Sequence, residues 1–124
     1  MKSLALLFAL VSFSAPNFAL AGSATWSATP ATNDWNTAGN WNPATVPNAQ
    51  TDFATFATSS VTQLSLSSSV SLGCMVFTPG ADSFSLTTVP GRITFYGAGV
   101  CNNSGRTHLF TLVGGPPSQG LGSL

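Results

Sequence analysis

Few side chains in this sequence can do covalent or acid–base chemistry. There are three carboxylates, Asp34, Asp52 and Asp82, no glutamate, and a single histidine, His108. Glycoside hydrolysis by the common route needs two carboxyl groups at a defined separation across the scissile bond. Asp34 and Asp82 sit instead in turn-forming contexts, Asn33-Asp34 and Pro79-Gly80-Ala81-Asp82, where aspartate bonds its own backbone. No Gly-x-Ser-x-Gly elbow is present and no acid neighbours His108 in the sequence, so nothing marks a serine hydrolase. One histidine with two widely spaced cysteines does not make a zinc set, which takes four ligands in short pairs. Gly97-Ala98-Gly99 lacks the third glycine and following helix of a phosphate-binding loop. Asn102-Asn103-Ser104 fits a glycosylation acceptor, a motif short enough to arise by chance. No catalytic residue, cofactor or metal ligand is assigned, and the chain is expected not to be an enzyme.

Two other groups of residues carry a functional and a structural reading each. Trp26, Trp35 and Trp41 are able to form a platform on which sugar rings stack, with Asn36, Asn40 and Asn42 supplying hydrogen bonds. They are also the largest apolar side chains available to seal one end of a small core, and the structural reading is the preferred one. Cys74 and Cys101 form an even pair, which in an oxidising compartment permits one disulfide. Closing a loop of about 28 residues would stabilise the fold by roughly 3 kcal/mol in chain-entropy terms. The alternative is two separate small hydrophobes, and the spacing does not choose between them.

The elements that position these residues begin after residue 21. Lys2, the apolar run Leu4–Val11 and the small-x-small pattern Ala19-Leu20-Ala21 predict a signal peptide over 1–21, cleaved before Gly22. The apolar run is about half the roughly 20 residues that a spanning helix requires, and no later stretch is long and apolar enough to span as a helix. Of the 124 residues, 5% are charged and 44% are hydrophobic, with a formal net charge of zero. With no basic field to meet a phosphate backbone, nucleic acid is not an expected partner.

Beyond residue 60 the chain alternates apolar and hydroxylated positions. Leu64 and Leu66, Val70 and Leu72, Phe84 and Leu86, and Ile93 and Phe95 each make one apolar stripe with Ser and Thr opposite. Pro79-Gly80, Pro90-Gly91, Gly97-Ala98-Gly99 and Asn102–Gly105 punctuate them. This predicts an all-β fold of short strands. A single strand cannot bury its stripe, which leaves stacked solenoid turns or a small β-sandwich. Thr25–Phe56, rich in Trp, Asn and turn signals, reads as a cap. From Thr111 onward, Thr-Leu-Val-Gly-Gly-Pro-Pro reads as the end of the strand pattern.

These residues resemble a known family. Ala24-Thr25-Trp26, then Asn33–Trp41, then Val46-Pro47-Asn48, are similar to the opening of the β-helical passenger regions of autotransporter-like bacterial surface proteins. Val70–Phe77, Pro79-Gly80-Ala81 and Gly97–Gly105 resemble that family's strand repeats. The resemblance covers about residues 24–110. It implies a right-handed parallel β-helix, export and a surface or adhesive role, and it brings no shared catalytic residues.

The expected organisation is a signal peptide at 1–21, a Trp-rich cap at 22–60, solenoid turns at 61–112 and a Gly/Pro-rich tail at 113–124. The expected function is that of a non-enzymatic exported surface or adhesin-like segment, a fragment of a longer passenger. It would sit secreted, at the cell surface or at the outer membrane of a bacterium. Partners would be surface glycans, or a second copy meeting an uncapped solenoid end. The runner-up is a secreted carbohydrate-binding β module using the tryptophans, and a hydrolase ranks third.

Overall fold

The computed structural model describes residues 22–112. The expected signal peptide and the Gly/Pro-rich tail lie outside the described residues. Eight strands run in chain order: β1 Ala24–Trp26, β2 Trp41–Asn42, β3 Phe53–Phe56, β4 Gln63–Ser65, β5 Val70–Phe77, β6 Ser85–Thr88, β7 Ile93–Asn102 and β8 Leu109–Leu112. Among the described residues the only helix is one 3-10 turn, Ala38–Asn40. The fold is therefore all-β, as the alternation of Ser and Thr with apolar residues requires.

The strands fall into two sheets. The larger has the order β2-β1-β3-β5-β7 and the smaller the order β4-β6-β8. From β3 onward, successive strands alternate between the larger and the smaller sheet. Strands β1 and β2 pair antiparallel, whereas β1–β3, β3–β5, β5–β7, β4–β6 and β6–β8 are all parallel. Leu64 pairs with Leu86, and Leu86 with Phe110. A bridge from Asp34 to Ser65 extends the smaller sheet toward the N-terminal end. Parallel pairing already begins at β1 and β3, inside the stretch read from sequence as a cap.

The two sheets share one core. Leu64, Leu66 and Leu86 from the smaller-sheet side meet Ala54, Phe56, Leu72, Met75 and Phe77 from the larger in a single buried cluster. Four of the expected stripes behave differently according to their neighbours. Leu64, Leu66, Val70, Leu72, Phe84 and Leu86 are buried. Ile93 is only partly buried and Phe95 is 37% exposed, because among the described residues β7 is the last strand of its sheet.

Strand β7 continues past Gly97-Ala98-Gly99, which reads in the sequence as a break, but with a bulge there: Leu72 pairs with Phe95 and Cys74 with Gly99, and Gly99 takes φ +79°. Between Leu72 and Cys74 the pairing with β7 shifts register, and the backbones close up there. A Cβ on Gly97 would lie 2.6 Å from the carbonyl oxygen of Gly73, and one on Gly73 would lie 3.0 Å from that of Gln50. These glycines are there for close approach, which no other residue permits. Strand β8 includes Thr111 and ends at Leu112, at the expected boundary of the strand region although the sequence from Thr111 onward does not itself read as strand.

Candidate functional site

The N-terminal end is built around the three indoles. Trp26, Trp35 and Trp41 are 1%, 0% and 2% exposed. Trp41 meets Trp26 and Trp35 edge-on, with ring centroids 5.1 and 4.8 Å apart, the geometry that aromatic quadrupoles favour. Each indole N–H finds a backbone carbonyl. Trp26 donates to Val61 (3.0 Å), Trp35 to Pro47 (3.4 Å) and Trp41 to Trp35 (2.7 Å). Stacking on a sugar needs an open ring face, and these rings offer none. Asn40 is also fully buried. Its amide donates to the Thr32 hydroxyl and the Asp34 carbonyl, and accepts from the Thr32 N–H. Phe56 completes the cluster, with its ring within 6.3 Å of all three indoles and within 5.2 Å of Phe77 and Phe84. It joins the indole end to the rest of the core.

The three carboxylates are spent on turns. Asp34 accepts from the Asn36 and Ser67 N–H groups and from the Thr37 and Ser67 hydroxyls. Burial pushes its carboxyl up, but the hydrogen bonds, led by that of the Ser67 hydroxyl, outweigh this and hold it below the ordinary aspartate value. Asp52 accepts from the Asn48 N–H, and Asp82 from the Ser59 N–H. Asn36 and Asn48 continue the same device, accepting from the N–H groups of Ser68, on the connection between β4 and β5, and of Ser71, near the start of β5. Each acceptor clasps a segment more than 20 residues away or its own turn.

His108 and Ser104 are the one pair with the outline of a nucleophile and base. Ser104 Oγ lies 2.9 Å from His108 Nε2. The protonation pattern runs the wrong way for activation. The Phe84 N–H donates to Nδ1 of His108, so in the neutral ring Nε2 carries the proton and donates toward Ser104. The Ser104 hydroxyl in turn lies 2.7 Å from Asn102 Oδ1, which accepts from it. A general base must have a free lone pair facing the hydroxyl proton, and this one does not. The imidazole stacks on Phe77 at 3.6 Å, and burial lowers its pKa from the ordinary histidine value. It serves as a packing and strand-linking residue.

The two cysteines come together. Their sulfur atoms lie 3.1 Å apart across β5 and β7, both as free thiols. Among the described residues, no three His, Cys, Asp or Glu side chains gather to hold a metal, and no helix is long and apolar enough to cross a membrane. A shallow depression lined by Asn33, Ser60, Val61, Thr62 and Gln63 carries no titratable side chain.

The opposite end is apolar and open. Phe95, Tyr96, Val100, Leu109, Phe110 and Leu112, all on β7 and β8, are exposed. Among the described residues each of these strands pairs on one side only, so the far edges of both sheets lie at the same end. Exposed apolar edges of this kind are templates for another strand.

Scanned against protein-family models, the chain matches none, and searches of the curated proteins and of the solved structures likewise find no match. The residue that sequence reasoning missed is Phe56: Phe53-Ala54-Thr55-Phe56 does not alternate apolar and polar positions, so no periodicity marked which phenylalanine faces inward. Asn40, read from the sequence as a hydrogen-bonding partner for a sugar, is instead buried. Nothing local distinguishes Asn40 from the exposed asparagine at 42.

Proposed function

We propose that this chain is a segment of a non-enzymatic, exported bacterial surface protein, built as a right-handed parallel β-helix whose coils present a broad uncharged face. The observation that carries the reading is the near-constant offset between paired strands from β3 onward. Ala54 pairs with Met75, Leu64 with Leu86, Val70 with Ile93 and Leu86 with Phe110, so each partner lies roughly two dozen residues on. Repetition at 20 to 50 residues is what solenoids use to build a continuous core. Strands that alternate between two parallel sheets fit one coil per pair of strands. The indole cluster, with antiparallel β2 beyond it, fits a terminal cap, which such arrays need. The open end at β7 and β8 fits a place where further coils or a second copy add on.

The role of such a segment is structural or adhesive. Its outward positions include many Ser, Thr and Asn, which supply hydrogen bonds without a charge field. Glycans on a neighbouring surface suit that chemistry better than charged polymers do. The test is to express the full chain in a bacterial host and to recover the product from each cell fraction. Mature protein beginning at Gly22, outside the cytoplasm and cleaved by protease added to intact cells, is the expected result. Intracellular protein with residues 1–21 still attached overturns the assignment.

A further inference from the structure

We infer that Cys74 and Cys101 are an oxidation site, forming a disulfide that staples the last strand of the larger sheet to its neighbour. The inference stands independently of the surface assignment. Cys74 lies on β5 opposite Gly99 of β7, while Cys101 lies opposite Val76. The two cysteines are therefore diagonal neighbours. Because Gly99 has no side chain, nothing stands between the thiols. Their sulfurs are 3.1 Å apart, and a closure of about 1 Å reaches the bonding distance of ~2.05 Å.

The surroundings favour bridging over burial as two inert hydrophobes. Met75 and Phe77 belong to the core, and by the period of two Cys74 lies on the opposite face of the sheet from Met75. Cys101 is partly exposed whereas Cys74 is buried, so an oxidant reaches Cys101 first. Burial, and then the neighbouring Cys101, push the Cys74 thiol up to about 11. It is therefore a poor first nucleophile, and the neighbouring sulfur is what brings it into reaction.

The chemistry needs a small-molecule disulfide as oxidant, for which glutathione disulfide serves. The Cys101 thiolate attacks one sulfur of the oxidant, forming a mixed disulfide and releasing one glutathione thiolate. The Cys74 thiolate then attacks Sγ of Cys101, and the second glutathione leaves. Two electrons pass from the cysteine pair to the oxidant. The two cysteine protons end on the two glutathione thiols.

The staple acts where the fold is least covered. Among the described residues strand β7 has no partner on its far side, and the register shift at Gly73 interrupts its pairing with β5. A covalent link just beyond that shift holds the outer half of β7 in place.

The experiment uses the full chain, purified reduced and then incubated with glutathione disulfide. Intact mass, thiol titration in denaturant and peptide mapping read the product, and circular dichroism reads the melting temperature with and without reductant. The expected result is a monomer lighter by about 2 Da, with no free thiol and a Cys74–Cys101 peptide. Its melting temperature should rise by about 10 °C or more over the reduced form, given the loop that the bridge closes. Cys74→Ser should retain glutathione as an adduct on Cys101, whereas Cys101→Ser, left with the buried thiol alone, should stay unmodified, and both should lose the reductant-dependent shift. Persistent free thiols in folded wild-type protein, glutathione on both cysteines, or disulfide-linked dimers overturn the inference. A bridged monomer that melts at the reduced form's temperature refutes the stapling role.

Discussion

Phe56→Ala is the most informative single perturbation. Phe56 is 2% exposed and touches the three indoles on one side and Phe77 and Phe84 on the other. Truncating a buried phenylalanine costs about 3–5 kcal/mol, through lost transfer energy and the cavity left behind. Here the ring holds five aromatic neighbours apart, so the pocket cannot collapse without moving an indole, and the upper half of that range is expected. A domain of about 90 residues has roughly 5–14 kcal/mol of stability in total, so the variant loses a third of it or more. Phe53, on the same strand but facing out and 50% exposed, is the internal control. Phe53→Ala should cost about 1 kcal/mol, since half its area never leaves water. Urea unfolding followed by tryptophan fluorescence measures both. With a slope of about 1–2 kcal/mol/M, the Phe56→Ala midpoint falls by roughly 2–4 M. If that variant proves unfolded, Phe56→Leu gives the same ranking at smaller amplitude. A Phe56→Ala cost below about 1.5 kcal/mol, or equal costs at the two positions, would refute the reasoning.

Gly97→Ala should destabilise by about 1–3 kcal/mol, because its Cβ meets the Gly73 carbonyl at 2.6 Å. Gly39→Ala, with open space around it, should be close to neutral, and denaturation midpoints of the two check this. Acid should weaken the fold in two windows. His108 has a lowered pKa, so the unfolded chain binds the proton more readily. Stability is then lost as pH falls from about 6.5 to the folded value. The lowered pKa of Asp34 gives stability that is present above about 3.9 and lost as pH falls through the folded value. Urea midpoints at intervals from pH 8 to 3 should show both declines, and His108→Gln should abolish the first alone. The open end should make the protein self-associate. Sedimentation velocity should show concentration-dependent growth that Phe110→Lys and Leu112→Lys suppress, and a wild-type monomer at all concentrations counts against it.

Much of this architecture was written in local pattern. The stripes Leu64/Leu66, Val70/Leu72 and Phe84/Leu86 are buried as their alternation demands, and the three tryptophans are bulky enough that burial was the natural reading. Other features depend on what lies two dozen residues away. Gly97-Ala98-Gly99 looks like a break, and only its position above Gly73 makes it part of a strand. Phe95 carries the same alternation as Leu72, yet stays exposed because among the described residues nothing pairs beyond β7. His108 looks solitary in the sequence, while in space it receives the Phe84 N–H and lies on Phe77. The cysteine spacing favoured neither a bridge nor separate thiols. The register of β5 against β7, shifted at Gly73, is what brings the sulfurs together.

The claim on which the surface-scaffold reading rests is that successive strands pile up in parallel. Nuclear Overhauser contacts in the folded full chain test it most directly. The account predicts backbone contacts of parallel pattern linking Gln63–Ser65 to Ser85–Thr87, and those in turn to Leu109–Thr111. Contacts of antiparallel pattern between these segments, or pairing of β4 with its chain neighbour β5, would contradict it.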